Sequence, residues 1–246
     1  MRNFKLLLAY DGSRYKGWQR LGDTDNTIQG KLENVLSRMV NAPVEVIGSG
    51  RTDAGAHAAG QTANFHADTD LSADEICAYL RQYLPEDIGV LSVEEVDDRF
   101  HSRFHAVQKT YLYRIWTSET PCVFERKYVW PVSAQIDLCA MRRAADYFLG
   151  THDFTSFCSN KHFKKSAVRT IYGLDIEQTD TELRFTVTGD GFLYNMVRIM
   201  VGTLLAVGKG ERAPEDIPVI LESKIREQAG ETVPAKGLCL MEVVYP

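Results

Sequence analysis

The chain has 246 residues, enough for one large domain or two small ones. Its 44% hydrophobic content is ordinary for a soluble globular protein, and no run of about 18 apolar residues suggests a membrane span. A net charge of −5 argues against a general nucleic-acid binder. Cys77, Cys122, Cys139, Cys158 and Cys239 are scattered, show no zinc spacing, and read as free thiols of a reducing cytoplasm.

The opening segment lacks the apolar length and cleavage site of a signal peptide and reads as a strand, Phe4 to Tyr10. Asp11 to Gln19 follows as a loop with turn residues at its start. In it, Tyr15 and Trp18 either stack on bases or plug the loop onto the core. Thr27 to Val40 predicts a helix with Ile28, Leu32, Val35, Leu36 and Met39 on one stripe, stopped by Asn41-Ala42-Pro43. Alternating runs over Val44–Ile47 and Gln61–His66 predict two strands around a glycine-rich loop. Ser72 and Glu75 form a capping box for a helix running to about Leu84 and ending at Pro85. Gly89 to Val96 is a strand, which completes a β-α-β-β-α-β, ferredoxin-like order.

Asp97 to Gln108 has no clear period and reads as a crossover. Lys109 to Trp116 alternates as a strand, and Asp137 to Leu149 is helical up to Gly150. Thr170–Gln178 and Glu182–Gly189 form a hairpin, Phe192–Val207 a long helix closed by Gly208, and Gly237–Val244 a last strand. The same element order thus recurs. The fold class expected is α+β: two ferredoxin-like β-α-β-β-α-β units, residues 1–105 and 106–246. Side by side, such units join into one mostly antiparallel sheet with helices on one face and a central cleft.

Charge is unevenly spread. Arg99, His101, Arg103, His105, Lys109 and Arg114 form one basic cluster; Lys161, His162, Lys164, Lys165 and Arg169 form another. Acidic residues are frequent at 68–75, 86–98 and 211–227. Basic surfaces on an acidic body either attract RNA phosphates or are solvated faces.

The stretch with the most chemistry is Gly48 to Gln61. Glycines 48, 50, 55 and 60 permit positive φ and close approach, and small alanines leave Arg51, Asp53 and His57 little shielded. Beside Arg51, Asp53 can stay ionised and serve as nucleophile or general base. Alternatively it caps its own loop as an Asx-turn.

The segment GRTDAGAHAxGQ closely resembles the signature of the TruA-type tRNA pseudouridine synthases. It departs at Ala56, where that family usually carries valine, a change that bears on packing more than chemistry. Tyr10 to Gln19 resembles the family's YDGxxYxGWQ motif, and the resemblance covers nearly the whole chain. It implies an isomerase converting uridine to pseudouridine on the 3′ side of the tRNA anticodon stem-loop, at tRNA positions 38, 39 and 40. It also implies a homodimer, an active site in the central cleft, and Asp53 as the catalytic residue. The base must leave its stack to be reached. The reaction requires no redox cofactor and no metal.

The resemblance selects Tyr111, in Lys109-Thr110-Tyr111, as the aromatic platform, although Tyr111 and Tyr113 share a strand face and read equally as core. Arg198 sits in an apolar helix among Met196, Val197, Ile199, Met200 and Val201. It either pairs with a carboxylate, with Asp53 the candidate, or snorkels to the surface. The same resemblance has Arg51 enter the RNA to displace the base, with a phosphate contact as the other reading. It makes Leu238 an apolar contact to the base. Lys164 and Lys165 are candidate RNA contacts, and His57 has a structural or RNA-contact role. A second reading of the chain is a non-catalytic RNA-binding module or tRNA chaperone. A third is a glycosidase-like hydrolase, which needs a second catalytic carboxylate, and none stands out.

Overall fold

The computed structural model describes residues 1–160 and 166–246. The chain forms two compact units. The first holds Met1–Val107 and Cys239–Pro246; the second holds Gln108–Leu238.

In the first unit, β1 (Arg2–Tyr10) lies between β3 (His57–Ala67) and β4 (Ile88–Val96), antiparallel to both. The short β2 (Val46–Gly48) pairs antiparallel with β3. The order β4-β1-β3 with β2 outside β3 is that of a ferredoxin-like sheet. Alternation in β1 points Phe4, Leu6, Leu8 and Tyr10 into the core, while Lys5, Leu7 and Ala9 stay part-exposed. Helix α1 (Ile28–Val40) is capped by Thr27, which accepts the Gly30 amide, and ends at Asn41 in a left-handed conformation, φ 54°. It buries Ile28, Leu32, Val35 and Leu36. Helix α2 (Ala73–Tyr83) starts with the expected Ser72–Glu75 capping box.

One buried charge was not legible in the sequence. Glu33 on α1 is 4% exposed, and its Oε1 accepts the Val46 amide at 3.1 Å and Gln29 Nε2 at 2.9 Å. Arg20 lies 3.0 Å from its other oxygen. The carboxylate thus satisfies an amide of β2 that the ladder leaves over.

The last strand, β10 (Leu238–Val244), runs parallel to β3, with Cys239 opposite His57 and Leu240 opposite Ala58. This pairing is why Cys239–Pro246 belong to the first unit, at the far end of the chain from its other strands.

In the second unit, β5 (Gln108–Trp116), β9 (Glu182–Gly189), β8 (Val168–Gln178) and β7 (Gly150–Asp153) form an antiparallel sheet in that order. The two-residue β6 (Trp130–Pro131) runs parallel to β5. Helices α3 (Leu138–Asp146) and α4 (Met196–Gly208) pack on each other, α3 also on β8 and α4 on β5; α5 (Asp216–Ser223) lies against β7. Tyr113, Phe148, Phe154, Phe157 and Phe185 are fully buried.

Two helices are shorter than their sequences suggest. Residues 147–149 leave α3 in tight turns, and Phe148 packs edge-on against Phe157 at 5.0 Å. Helix α4 begins at Met196 rather than Phe192, because Asn195 takes the left-handed conformation, φ 63°. Apolar periodicity continues through both stretches, so it carries no sign of either break. The strands and helices of the two units confirm the α+β class, with strand pairing that is mostly antiparallel.

Candidate active site

The loop bearing Asp53 spans residues 49–56, between β2 and β3. The glycine-rich stretch is therefore shorter than its sequence suggests, since His57 to Gln61 already belong to β3. Of the four glycines expected to supply positive φ, Gly55 does so, at 80°.

The loop is fixed from behind by neutral side chains. Ser49 Oγ donates to Gln61 Oε1 at 2.6 Å, and Gln61 Nε2 donates to Gly50 O at 3.3 Å and to the Tyr10 hydroxyl at 3.5 Å. The Tyr10 hydroxyl is 2.8 Å from Thr52 Oγ1. All four side chains are buried. Burial pushes the Tyr10 phenol well above its ordinary range, so it stays neutral. Neither Tyr10 nor Gln61 is singled out by composition or spacing; in the sequence Tyr10 closes the first strand and opens the YDGxxYxGWQ motif.

A second loop braces the first from the side. Trp18 N donates to Thr52 O at 3.1 Å, and the Trp18 ring lies against Gly48. Gly12 meets Ala56 so closely that a Cβ would stand 1.8 Å from the Ala56 carbonyl oxygen. Trp18 is 2% exposed and Tyr15 5%, which resolves both as plugs rather than base-stacking groups. Tyr15 also donates to Asp87 at 2.5 Å. His57 is buried, and its Nδ1 accepts the Gly12 amide at 3.1 Å, so the ring proton belongs on Nε2. The Asp11 carboxylate, 3.3 Å from the same nitrogen, is a neighbour rather than an ion-pair partner. His57 thus helps to fasten the second loop to β3.

Within this frame Asp53 is half-buried, with its carbonyl accepting the Ala56 amide at 3.1 Å. The adjacent Arg51 is exposed, its Nε donating to Gln19 at 2.8 Å. A rigid backbone thus presents a carboxylate and a guanidinium two residues apart.

The second unit places its own candidates on β5, α4 and the first residue of β10. Tyr111 is 8% exposed, and Phe192 meets its ring edge-on at 5.2 Å. Phe192 was read as helix from its periodicity; its place beside Tyr111 follows from the turn that precedes α4. Tyr113, on the same strand face, is fully buried and donates to Pro234 O at 2.7 Å. Burial raises its pKa, against the nearby Arg198 charge. Arg198 does not simply extend into solvent: Nε donates to Val233 O at 2.7 Å and Nη1 to Asn195 Oδ1 at 2.8 Å. The Asn195 that ends the preceding turn therefore also orients the arginine. Leu238 is 6% exposed. Lys164 and Lys165, with Lys161 and His162, lie outside the described residues.

One member of the first basic cluster is committed elsewhere. Arg114 is held by Glu182 through two hydrogen bonds, at 3.0 and 2.5 Å, and by Glu125. It belongs to an internal ion network and not to a phosphate-facing surface.

A family model described as tRNA pseudouridine synthase matches residues 7–105 and 144–246, including the Asp53 loop, Arg198 and Leu238. The chain belongs to the tRNA pseudouridine synthase family. It is 52% identical over 245 residues to "tRNA pseudouridine synthase A" of Bacillus sp. (strain KSM-64), covering all of both chains. It is 49% identical to "tRNA pseudouridine synthase A 2" of Bacillus anthracis and 44% to the synthase A of Acetivibrio thermocellus, again over full lengths. Among solved structures, a chain of an archaeal box H/ACA Nop10-Cbf5 complex overlaps 94% of this chain and 58% of its own, with TM-score 0.37 and 11% identity. That likeness is too distant to argue from. As a family member the protein is an isomerase acting on uridine in tRNA. No helix among the described residues is long and apolar enough to cross a membrane.

Proposed function

We propose that this synthase acts on the 3′ side of the anticodon stem-loop, at tRNA positions 38, 39 and 40, with Asp53 as its catalytic carboxylate. The observation that carries the reading is the setting of Asp53. A half-buried carboxylate rides on a loop whose backbone is fixed by buried, neutral hydrogen bonds from Ser49, Thr52, Gln61 and Tyr10. Such a frame positions a reacting group without adding a competing charge.

The reaction breaks the N1–C1′ bond of uridine, turns the base, and joins C5 to C1′. Atoms and electrons balance within the nucleoside, so Asp53 needs only to assist bond exchange at the sugar or the base and to move a proton from C5. The target base is turned out of its stack to reach the carboxylate. Arg51, exposed beside Asp53, enters the RNA where that base was. Tyr111 serves the reaction as an aromatic platform, Leu238 as an apolar contact to the base, and Arg198 as the cation. Lys164 and Lys165 contact RNA phosphates. The protein works in the cytoplasm as a homodimer, which sedimentation of the purified chain tests directly.

The deciding experiment is tritium release from C5-labelled uridine in unmodified tRNA. The wild type is expected to release it, and Asp53→Asn to bind tRNA while losing at least about 10²–10⁴-fold in turnover. Turnover by the Asn variant at the wild-type rate removes Asp53 from the mechanism. Sequencing the product tRNA for pseudouridine tests the assignment to positions 38, 39 and 40 separately.

A further inference from the structure

The segment between β4 and β5 carries a feature that the Asp53 loop does not use. Phe104 is 70% exposed, yet its ring is not loose: it stacks on the His101 ring, with centroids 4.1 Å apart and planes at 30°. The His101 ring is itself anchored. Its Nδ1 accepts the amides of Arg103 at 3.1 Å and Phe104 at 3.3 Å, which keeps the imidazole neutral with its proton on Nε2. Burial likewise lowers its pKa.

The backbone beneath the stack is fastened to the first unit's core. Ser102 is fully buried; its Oγ donates to Ile47 O at 2.5 Å, and its amide donates to Asn64 Oδ1 at 2.9 Å. Tyr245 donates to Ser102 O at 2.6 Å. Asn3 holds the carbonyls of Asp97 and Phe100 at 2.9 Å each. Phe100 faces inward against Tyr245 at 5.1 Å. Ile47 and Ser49 flank Gly48, where β2 ends and the Asp53 loop begins. The platform and the catalytic loop therefore share one support.

The segment that carries the exposed ring also carries exposed cations. Arg99, Arg103 and His105, in the same segment as Phe104, are all exposed. Two carboxylates precede them: Asp97 Oδ1 accepts the Arg99 amide at 2.9 Å, and the exposed Asp98 lies 3.4 Å from His66. A fixed aromatic face in a segment that also carries arginines matches what unpaired nucleotides need, a π-surface for the base and positive charge for its phosphates.

We propose that Phe104, seated on His101 and flanked by Arg99 and Arg103, is a stacking platform for one unpaired base of the RNA substrate. The proposal rests on the tRNA reading and adds a contact to it in the first unit. The ring supplies the stacking face, His101 holds it at a set tilt, and the arginines take the adjoining phosphates.

The test is the affinity of the full chain for unmodified tRNA, measured for wild type, Phe104→Ala, Phe104→Leu and Phe104→Trp, alongside thermal unfolding and sedimentation. Loss of a base–aromatic stack is expected to weaken binding at least about fivefold for Ala and Leu, with Trp restoring it. The slope of affinity against salt is expected to stay unchanged, because no charge is removed. Thermal stability is also expected to hold, since the ring is exposed. Leu binding within twofold of wild type overturns the proposal. So does an altered oligomeric state with unchanged RNA affinity, which assigns Phe104 to a protein contact. Wild-type protein that neither binds tRNA nor releases tritium overturns the tRNA reading itself, which distinguishes the two failures.

Discussion

Two regions of the molecule hold their strands and loops by opposite means. Behind the Asp53 loop, Ser49, Gln61, Tyr10 and Thr52 form a buried network with no charged member. On the β5–β9 pair, Arg114 and Arg184 stand directly opposite each other, a repulsive cross-strand pair. Glu182 resolves it by accepting from both, with Glu125 adding a second carboxylate to Arg114. Burial opposes ionisation of Glu182, but its hydrogen bonds to Arg114 and Arg184 win and hold its pKa below the usual range. A neutral network keeps its geometry and field as pH changes, which suits the neighbourhood of a reacting carboxylate. An ionic clip is stronger per contact but lasts only while its carboxylate is ionised.

The contrast can be broken at four points, in order of expected effect. Gly12→Ala drives a Cβ into the Ala56 carbonyl and should cost about 3 kcal/mol, with loss of the loop's seat. Gly22→Ala, with nothing within 4 Å, is the control. Equal denaturant midpoints for the two variants would show that the loop yields rather than resists.

Glu182→Gln should cost about 2 kcal/mol at neutral pH, since it leaves Arg114 and Arg184 facing each other with their main partner gone. Because the folded-state pKa of Glu182 is depressed, its contribution is complete above the ordinary carboxylate pKa and fades as pH falls through the folded value. The gap between variant and wild type should therefore close in acid. A gap that stays constant would assign the loss to shape rather than charge.

Tyr10→Phe should cost about 1 kcal/mol by removing a hydroxyl shared by Thr52 and Gln61. Its penalty should be the same in mildly acid and mildly alkaline buffer, because burial keeps the phenol neutral throughout. A pH-dependent penalty would mean that the network includes a titrating partner. Turnover of the still-folded variant should also fall, if the network aims Asp53.

Arg51→Gln should change stability by less than about 0.5 kcal/mol, as expected of an exposed side chain. If Arg51 meets a phosphate, the slope of log affinity against log salt should drop by about 0.7–0.9. An unchanged slope with reduced turnover would favour its entry into the RNA stack instead.

Much of this was legible in the chain itself. The apolar character of Phe4 to Tyr10 marked β1, and Ser72 with Glu75 marked the start of α2, because apolar runs and capping are properties of neighbouring residues. The boundaries at Asn195 and Tyr147 were not, because both breaks occur inside apolar runs whose period does not change. Helix α5 was missed because it has only eight residues and lies in a stretch dominated by acidic charge. Among the site residues, Asp53 and Arg51 were found through their loop. Gln61 was quoted within the motif, but its part in holding the loop depends on strand β1, fifty-one positions away.

The sequence alone determined most of the longer strands and helices, though not β6, β7 or α5, and the Asp53 signature and, through it, the family. Tertiary structure alone decided that Tyr10 meets Thr52, that Trp18 closes over Gly48, that Glu33 caps β2, and that the last strand runs beside β3. The division has one physical cause. Hydrophobic period, capping and turn chemistry act over a few residues, whereas a buried hydroxyl, ring or carboxylate is satisfied by whichever distant segment the fold brings to it.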